Sequence, residues 1–528
     1  MIYRCLIFCL VILSSIGQLI AQDQPIIANI ELDFSERSRV IGTAGESIIY
    51  HDNGNILISD GSPNGTKIIG TLESDQKIKH AKVNLNNKLY FILGKIIGAD
   101  NDEEVLVEVN PATSSMRELV RSEDEITGLV NYRLRLYFEL KDHPTFGQAY
   151  ISYQPETEEF EHMFDTEGFG VQDAVKHKGL IYLVLQTPRW DGVSLAFSNG
   201  GPDIINEIFN IGDDQASGWD VSTNMTSAAN NLYFWHRGNG SGFTLYVSDG
   251  DPSGTKALKD GFRQTYWENH ESTELQDIVV AEDRIFFRGH NGQFGPYLWT
   301  SDGTTAGTRE LLLNGESIFE PHGFVLLNKE LYVSPRSDEA VVVDTDNLNV
   351  ELAFDIDEVG NEVQDSGHDM VLHNGTLYLS AQSKNSWQFE LYKKNQNSKS
   401  ISKATELNIG GGPIISSSTS AEDNLFFFVL GFGLVPSTLR VYDPTLSHTL
   451  ESSRKQITPF PNPCNSQLYL KGLKSNTDVT IVDMYGNNAM KVLLDEQQLI
   501  NTSELPEGIY YVFASDSRDR YITSFIKI

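Results

Sequence analysis

The chain repeats itself, and a repeat limits the available folds more than any single motif does. The stretch "LYVSDGDPSGTK" at residues 245–256 is matched by "LISDGSPNGTK" at 57–67 and by "LWTSDGTTAGTR" at 298–309. Degraded forms put Asn110, Gln154, Asn199, Asp344, Lys394 and Asp443 in the place held by Asp60, Asp249 and Asp302, at intervals of 42 to 53 residues. A second phrase, a polar turn followed by a short β-branched or aromatic run, recurs upstream of each. Examples are "NNKLYFIL" from Asn86, "ANNLYFWH" from Ala229 and "AEDRIFFR" from Ala281, with "AGESIIYH" from Ala44 as the weakest member. A chain of 528 residues is too long for one ordinary core unless that core is built by repetition.

Within the unit around Asp249 the alternation predicts four strands, "WDVSTNM" (219–225), "NLYFWHR" (231–237), "FTLYVSD" (243–249) and "TKALKDG" (255–261). Helical periodicity is almost absent. A repeat of about 47 residues carrying four short antiparallel strands is the signature of a β-propeller blade. One blade cannot bury both of its faces, so neighbours must cover them and the ring must close. The expectation is an all-β fold: eight or nine four-stranded blades over residues 24–452, the doubt in number coming from the weak first unit.

The Asp-Gly phrase has a structural explanation. The carboxylate of Asp249 can accept from backbone N–H groups just ahead of it, while Gly250 and Gly254 tolerate positive φ. This reads as the hairpin joining the third and fourth strands of a blade. A calcium site is the rival reading, but one carboxylate per turn falls short of the six to eight oxygens calcium takes. No metal ligand and no cofactor site is assigned. The three clear copies resemble the "ELWxSDGTxxGT" repeats of secreted and surface proteins of Bacteroidetes-type bacteria. That resemblance implies a propeller-like β repeat and brings no catalytic residues.

Near Ser452 the repeat stops. "TPFPNPCNSQLYLKGL", "DVTIVDMYGNNAMKVLL", "INTSELPEGIYYVFASD" and "RYITSFIKI" alternate strands and turns, which suits a small Ig-like β-sandwich over residues 457–528. "PNP" at 461–463, "IVDMYGN" at 481–487, "SELPEGIYYV" at 503–512 and the closing "FIKI" resemble the type A C-terminal sorting domain of type IX secretion cargo. Asn487 and Asn488 depart from it, where a basic residue is common. The resemblance implies recognition by the outer-membrane export machinery and later removal of the tail.

At the other end, Arg4 and "CLIFCLVILSSIG" read as a secretory signal over residues 1–21, its apolar run being short for a membrane span. Cys5 and Cys9 lie inside it, leaving Cys464 without a disulfide partner. With 72 acidic against 40 basic residues and a formal charge of −32, the surface repels phosphate backbones and anionic lipid. Nucleic-acid binding is not expected, and no transmembrane segment is read.

No H-E-x-x-H, G-x-S-x-G or Walker-type loop occurs. "DSGHDM" around His368 reads as a turn or strand start rather than an acid–base site. Arg284 and Arg288 in "DRIFFR" are the nearest thing to a paired carboxylate clamp. Trp235 and Trp299 fall inside apolar strands and read as packing residues, while Trp190 in "TPRWDG" and Trp267 in "TYWENH" fall in loops, where an indole can stack on a sugar. Trp190 and Trp267 are the candidate ligand contacts, and no catalytic residue is assigned. The functional expectation is a secreted or surface binding protein for a glycan or protein partner, an enzyme being the lesser reading. Its alternative is a secreted hydrolase of polysaccharide or peptide, with its site in the propeller funnel.

Overall fold

The Leu-Tyr-Phe phrases form the second strand of each blade. The computed structural model describes residues 26–31, 39–62, 65–95, 103–166, 169–186, 193–210, 225–237, 242–262, 278–290, 295–335, 340–354, 370–382, 389–394, 399–405, 414–421, 424–430, 438–442, 458–471, 473, 477–483, 488–494, 499–506, 508–515 and 520–527. Nine four-stranded antiparallel sheets occur among the described residues between Ile26 and Tyr442. Numbered as blades 1 to 9, their second strands are Ser47–Asp52, Lys88–Lys95, Arg135–His143, Leu180–Gln186, Leu232–Arg237, Arg284–Gly289, Glu330–Ser334, Thr376–Gln382 and Asn424–Leu430.

Blades 1 to 8 are meanders in chain order. In blade 5 the strands are Thr226–Ser227, Leu232–Arg237, Phe243–Ser248 and Lys256–Phe262. The last three fall where the alternation puts them. The paired first strand lies just beyond the expected 219–225 stretch, of which 219–224 are outside the described residues. Blade 9 takes three strands from the end of the repeat, and its fourth is Ile26–Glu31, which pairs antiparallel with Thr438–Tyr442. The count is therefore nine, with the first described strand completing the last blade.

Each second strand is buried on both faces, so its side chains serve two neighbours in turn. Leu232 and Phe234 of blade 5 pack with Tyr182 and Val184 of blade 4. Between them in sequence, Tyr233 and Trp235 point the other way and pack with Ile285 and Phe287 of blade 6. The same alternation joins Ile49 to Phe91, Tyr90 to Phe138, Tyr137 to Leu183, Phe286 to Leu331, Tyr332 to Leu379 and Tyr378 to Phe427. Phe426 of blade 9 then packs with Ile48 and Tyr50 of blade 1, closing the circuit. Nine seams carry nine apolar clusters. Register shifts between third and fourth strands, as at Ile56/Leu57 and Leu245/Tyr246, add the local twist that fans each blade.

The sorting-tail residues form two further sheets. Thr458–Phe460, Gln467–Lys471 and Leu499–Asn501 make one; Asn488–Leu493, Asp478–Asp483, Gly508–Ser515 and Arg520–Lys527 make the other. One apolar cluster unites them, including Leu468, Ile481, Val512, Phe525 and the buried Cys464. The Asn-Pro motif is tied to the last strand: Asn462 Oδ1 accepts from Ile526 N–H at 2.8 Å, and Cys464 N–H donates to Ile526 O at 2.7 Å.

Deleting residues 26–31 should leave Thr438–Tyr442 without its outer neighbour. A lower melting temperature is expected, with blade 9 becoming the first site of limited proteolysis. An unchanged melting temperature and cleavage map would refute closure by this strand.

Candidate functional site

In an antiparallel meander the first-to-second and third-to-fourth turns emerge at one end of the blade. The second-to-third connection and the link to the next blade leave at the other end. The described residues cover most of the first face, where the Asp-Gly phrases fall as expected. Asp60, Asp249 and Asp302 each follow a third strand, Asn55–Ser59, Phe243–Ser248 and Tyr297–Ser301.

Their chemistry is internal. Asp302 Oδ1 accepts from Thr304 N–H at 3.0 Å and from Thr304 Oγ1 at 2.7 Å, and Thr304 Oγ1 accepts from Gly307 N–H at 2.9 Å. Ser301 Oγ accepts from Gly303 N–H at 3.2 Å and lies 2.8 Å from Thr308 Oγ1. The Asp60 and Asp249 turns repeat the arrangement, with the first Asp-to-N–H bonds at 2.8 and 3.0 Å. The second glycine of each motif is required by this: a Cβ on Gly65, Gly254 or Gly307 would lie 1.9 Å from the Asp carboxylate.

The first glycine serves the seam. Gly250, at φ 101°, has the Tyr182 hydroxyl of blade 4 2.6 Å from where its Cβ would sit; Gly303, at φ 81°, has Asn231 and the Tyr233 hydroxyl of blade 5 at 3.2 and 3.4 Å. Gly61 meets Val441 and Phe426 of blade 9 in the same way. The degraded copy in blade 4 retains the contact, Tyr137 donating to Gly200 O at 3.1 Å. The two recurrent phrases are thus halves of one joint: the second-strand aromatic of a blade meets the Gly turn of the next.

Between blades 6 and 7 the joint is missing. Phe286 replaces the tyrosine and Thr345 occupies the turn position that Gly303 holds one blade earlier. A cavity of about 220 Å³ lies there, lined by Glu282, Asp283, Arg284, Asp302, Thr345 and Asp346. Most of its polar groups are engaged. Arg284 reaches Thr300 at 3.4 Å and Asp302 at 3.5 Å, Asp346 pairs with Lys329 at 2.6 Å, and Asp283 accepts from Asn230 N–H and its side-chain amide. Sequence reasoning did not find this cavity, and a missing Gly alone does not mark it, since Asn110, Gln154, Lys394 and Asp443 are likewise followed by another residue.

Arg284 and Arg288 sit four residues apart on one strand, about 13 Å along it, and Arg284 is engaged with Asp302 and Thr300. Trp235 and Trp299 are 0% and 5% exposed, inside the blade 5–6 seam with Phe262 and Phe287. Trp190, Trp267 and His368 lie outside the described residues. The strand ends flanking Trp190 (Gln186 and Val193) and Trp267 (Phe262 and Ile278) are on the face opposite the Asp-Gly turns. Among the described residues no group of three or more His, Cys, Asp and Glu could hold a metal ion.

Carboxylates also cross the seams, Glu104 and Glu139 buried and Asp173 partly so. Glu104 Oε2 accepts from Ile126 N–H at 2.9 Å, Glu139 Oε2 from Val171 N–H at 2.7 Å and Asp173 Oδ2 from Met225 N–H at 2.6 Å. Each holds the start of the next blade's first strand. Burial raises all three above the usual carboxylate range, Asp173 to about 7.

Residues 458–528 match the family described as the secretion system C-terminal sorting domain. This makes the chain a secreted or cell-surface protein that engages the type IX secretion machinery through its tail. No helix among the described residues is long and apolar enough to cross a membrane, and no curated protein matches the chain significantly. Similar solved structures include a computationally designed protein (12% identity, TM-score 0.38, covering 79% of this chain and 100% of that one). Others are an oligogalacturonate lyase from Vibrio parahaemolyticus (12%, 0.35, 48% and 74%) and the β-propeller domain of the Trilobed protease from Pyrococcus furiosus (10%, 0.31, 71% and 95%). The propeller assignment rests on the sheet order and seams of this chain.

Asp302→Ala should destabilise by about 1–2 kcal/mol through loss of its hydrogen bonds. Gly307→Ala should cost a similar amount by displacing the same carboxylate, and the double variant should lose little more than either alone. Full additivity in denaturant melts would refute the clash.

Proposed function

We propose that the protein is a non-enzymatic binding protein, exported by the type IX route after removal of residues 1–21. The propeller over 24–452 holds a glycan or protein partner, and an Ig-like sandwich over 457–528 serves as the sorting domain. The observation that carries this reading is the use of the described face: its Asp, Ser, Thr and Tyr groups are largely spent on turns and seams. Ligand contact then falls to the opposite face, where the strands flanking Trp190 and Trp267 end and where either indole could stack on a sugar. The repeat resembles the Bacteroidetes-type "SDGT" repeats in residues 57–67, 245–256 and 298–309, which supports a surface role and assigns no reaction.

The test is a glycan and protein array with the purified propeller, run beside a broad hydrolase panel. Saturable binding weakened by Trp190→Ala or Trp267→Ala, without turnover, is the expected result. Turnover abolished by changing a funnel carboxylate would replace this reading with the hydrolase. Binding unaffected by both Trp variants would retire them as contacts.

The address has its own test. A chain ending at Thr458 should accumulate in the cell envelope, whereas undiminished release would overturn export through the tail.

A further inference from the structure

Blade 5 opens with an inner strand of only two residues, Thr226–Ser227, paired within its own blade to Tyr233 and Leu232. Side chains from the first strand of blade 4, Gly170–His177, and its following turn hold the neighbouring backbone. Asp173 Oδ2 accepts from Met225 N–H at 2.6 Å, His177 Nδ1 lies 2.9 Å from Ser227 Oγ, and Lys178 Nζ donates to Asn230 O at 2.9 Å. Glu104 and Glu139 make the same carboxylate contact at the two preceding seams, whereas other inner contacts use groups whose charge is fixed through neutrality: Lys82 Nζ to Ile41 O and Asn131 Nδ2 to Asn84 O, both 2.6 Å. Only the blade 4–5 seam combines a carboxylate with a histidine among the described residues. A second His–Ser pair, His373 with Ser420 at 2.7 Å, joins blades 8 and 9. There the strand being held is the eight-residue Ile414–Ala421.

We propose that the seam between blades 4 and 5 is a pH-responsive latch, with Asp173 and His177 as its titrating members. Asp173 sits at a register shift after Val171, partly buried, with its other oxygen accepting from Ala174 N–H at 2.8 Å. The ionisable groups facing it are Tyr150 of blade 3 and, beside that ring, Glu139; among the described residues no cation offsets its charge. His177 is faced by Lys178 and by Asp283 of blade 6.

Burial raises the Asp173 carboxyl from 3.8 to about 7 and lowers the His177 imidazole from 6.5. The Asp173 folded value lies above its unfolded one, so the folded state binds a proton that the unfolded state does not. Its contribution to stability therefore grows as pH falls through about 7 and is complete near 3.8. His177 behaves oppositely: its folded value lies below 6.5, so stability is lost as pH falls below that value. The two limbs oppose one another below 6.5, so the stability that Asp173 adds as the pH falls is offset there by His177.

The test is the melting temperature of the full chain and of Asp173→Asn and His177→Gln across about pH 5 to 8. The Asn amide imitates the neutral acid. Asp173→Asn should therefore melt above the unaltered protein at the alkaline end and converge with it at the acid end. His177→Gln should gain melting temperature relative to the unaltered protein as the pH falls below 6.5. Profiles parallel to that of the unaltered protein would overturn the latch. If a variant does not fold, hydrogen exchange on the unaltered chain decides. Protection of residues 225–237 should then change more across this range than that of residues 278–289 in blade 6, and equal changes would refute the proposal.

Discussion

The second strand of each blade has no solvent face, and the ring depends on that. Burying a large apolar side chain contributes about 1.5–3 kcal/mol relative to exposing it, and here such residues point to both neighbours in turn. Leu232 and Phe234 belong energetically to the seam behind, Tyr233 and Trp235 to the seam ahead. An open row of such blades would leave apolar faces bare at both ends, so closure is a condition of solubility. Blade 9 meets that condition with Phe426 against Ile48 and Tyr50 and with a strand from the other end of the repeat.

The Asp-Gly turns act on the same seams from one face. Tyr182 can approach the next blade only because Gly250 presents no Cβ to it, while Gly303 and Gly61, both at positive φ, bring their turns into contact with Tyr233 and Phe426. Where the motif has decayed, other contacts stand in its place. Between blades 2 and 3, Arg117 joins Glu108 at 2.9 Å and Glu158 at 2.5 Å; between blades 7 and 8, Lys394 lies over the Tyr332 ring at 5.7 Å. A partly exposed ion pair or cation–π contact of this kind contributes about 0–1 kcal/mol, comparable to the hydrogen bond it replaces. The repeat can lose its signature without losing the ring. Between blades 6 and 7, a cavity lined in part by Thr345 lies beside a seam whose apolar cluster remains continuous.

Much of this was legible because it is repeated. Strand type, blade length and the place of Asp60, Asp249 and Asp302 follow from phrases that recur at a nearly constant interval. The direction in which Tyr233 faces was not legible, since alternation says that neighbours diverge but not which blade each one meets. Strand Ile26–Glu31 was hidden because its partner is more than 400 residues away and it carries no repeat phrase. The pairing of Thr226–Ser227 in blade 5 was not legible for a related reason: side chains from blade 4 hold the adjoining backbone, so this stretch needs little β pattern of its own. The cavity beside Arg284 was invisible because the turn Gly is missing from several units, so its loss at Thr345 does not stand out in the sequence.

The same reasoning explains why address and architecture could be read while the ligand could not. A repeat records what every unit must do, and every unit here must pack against two neighbours. Those demands fall on the second strands and on the third-to-fourth turns, where one glycine faces the next blade and another makes room for an Asp. The opposite ends of the strands carry no such shared demand, and there the connections differ in length and composition, as "TPRWDG" and "TYWENH" do. Binding residues at those connections would be individual to one blade and would leave no periodic trace. Trp190 and Trp267 stand out only as large aromatic residues in otherwise polar connections. Their claim to function rests on the chemistry of an indole rather than on pattern.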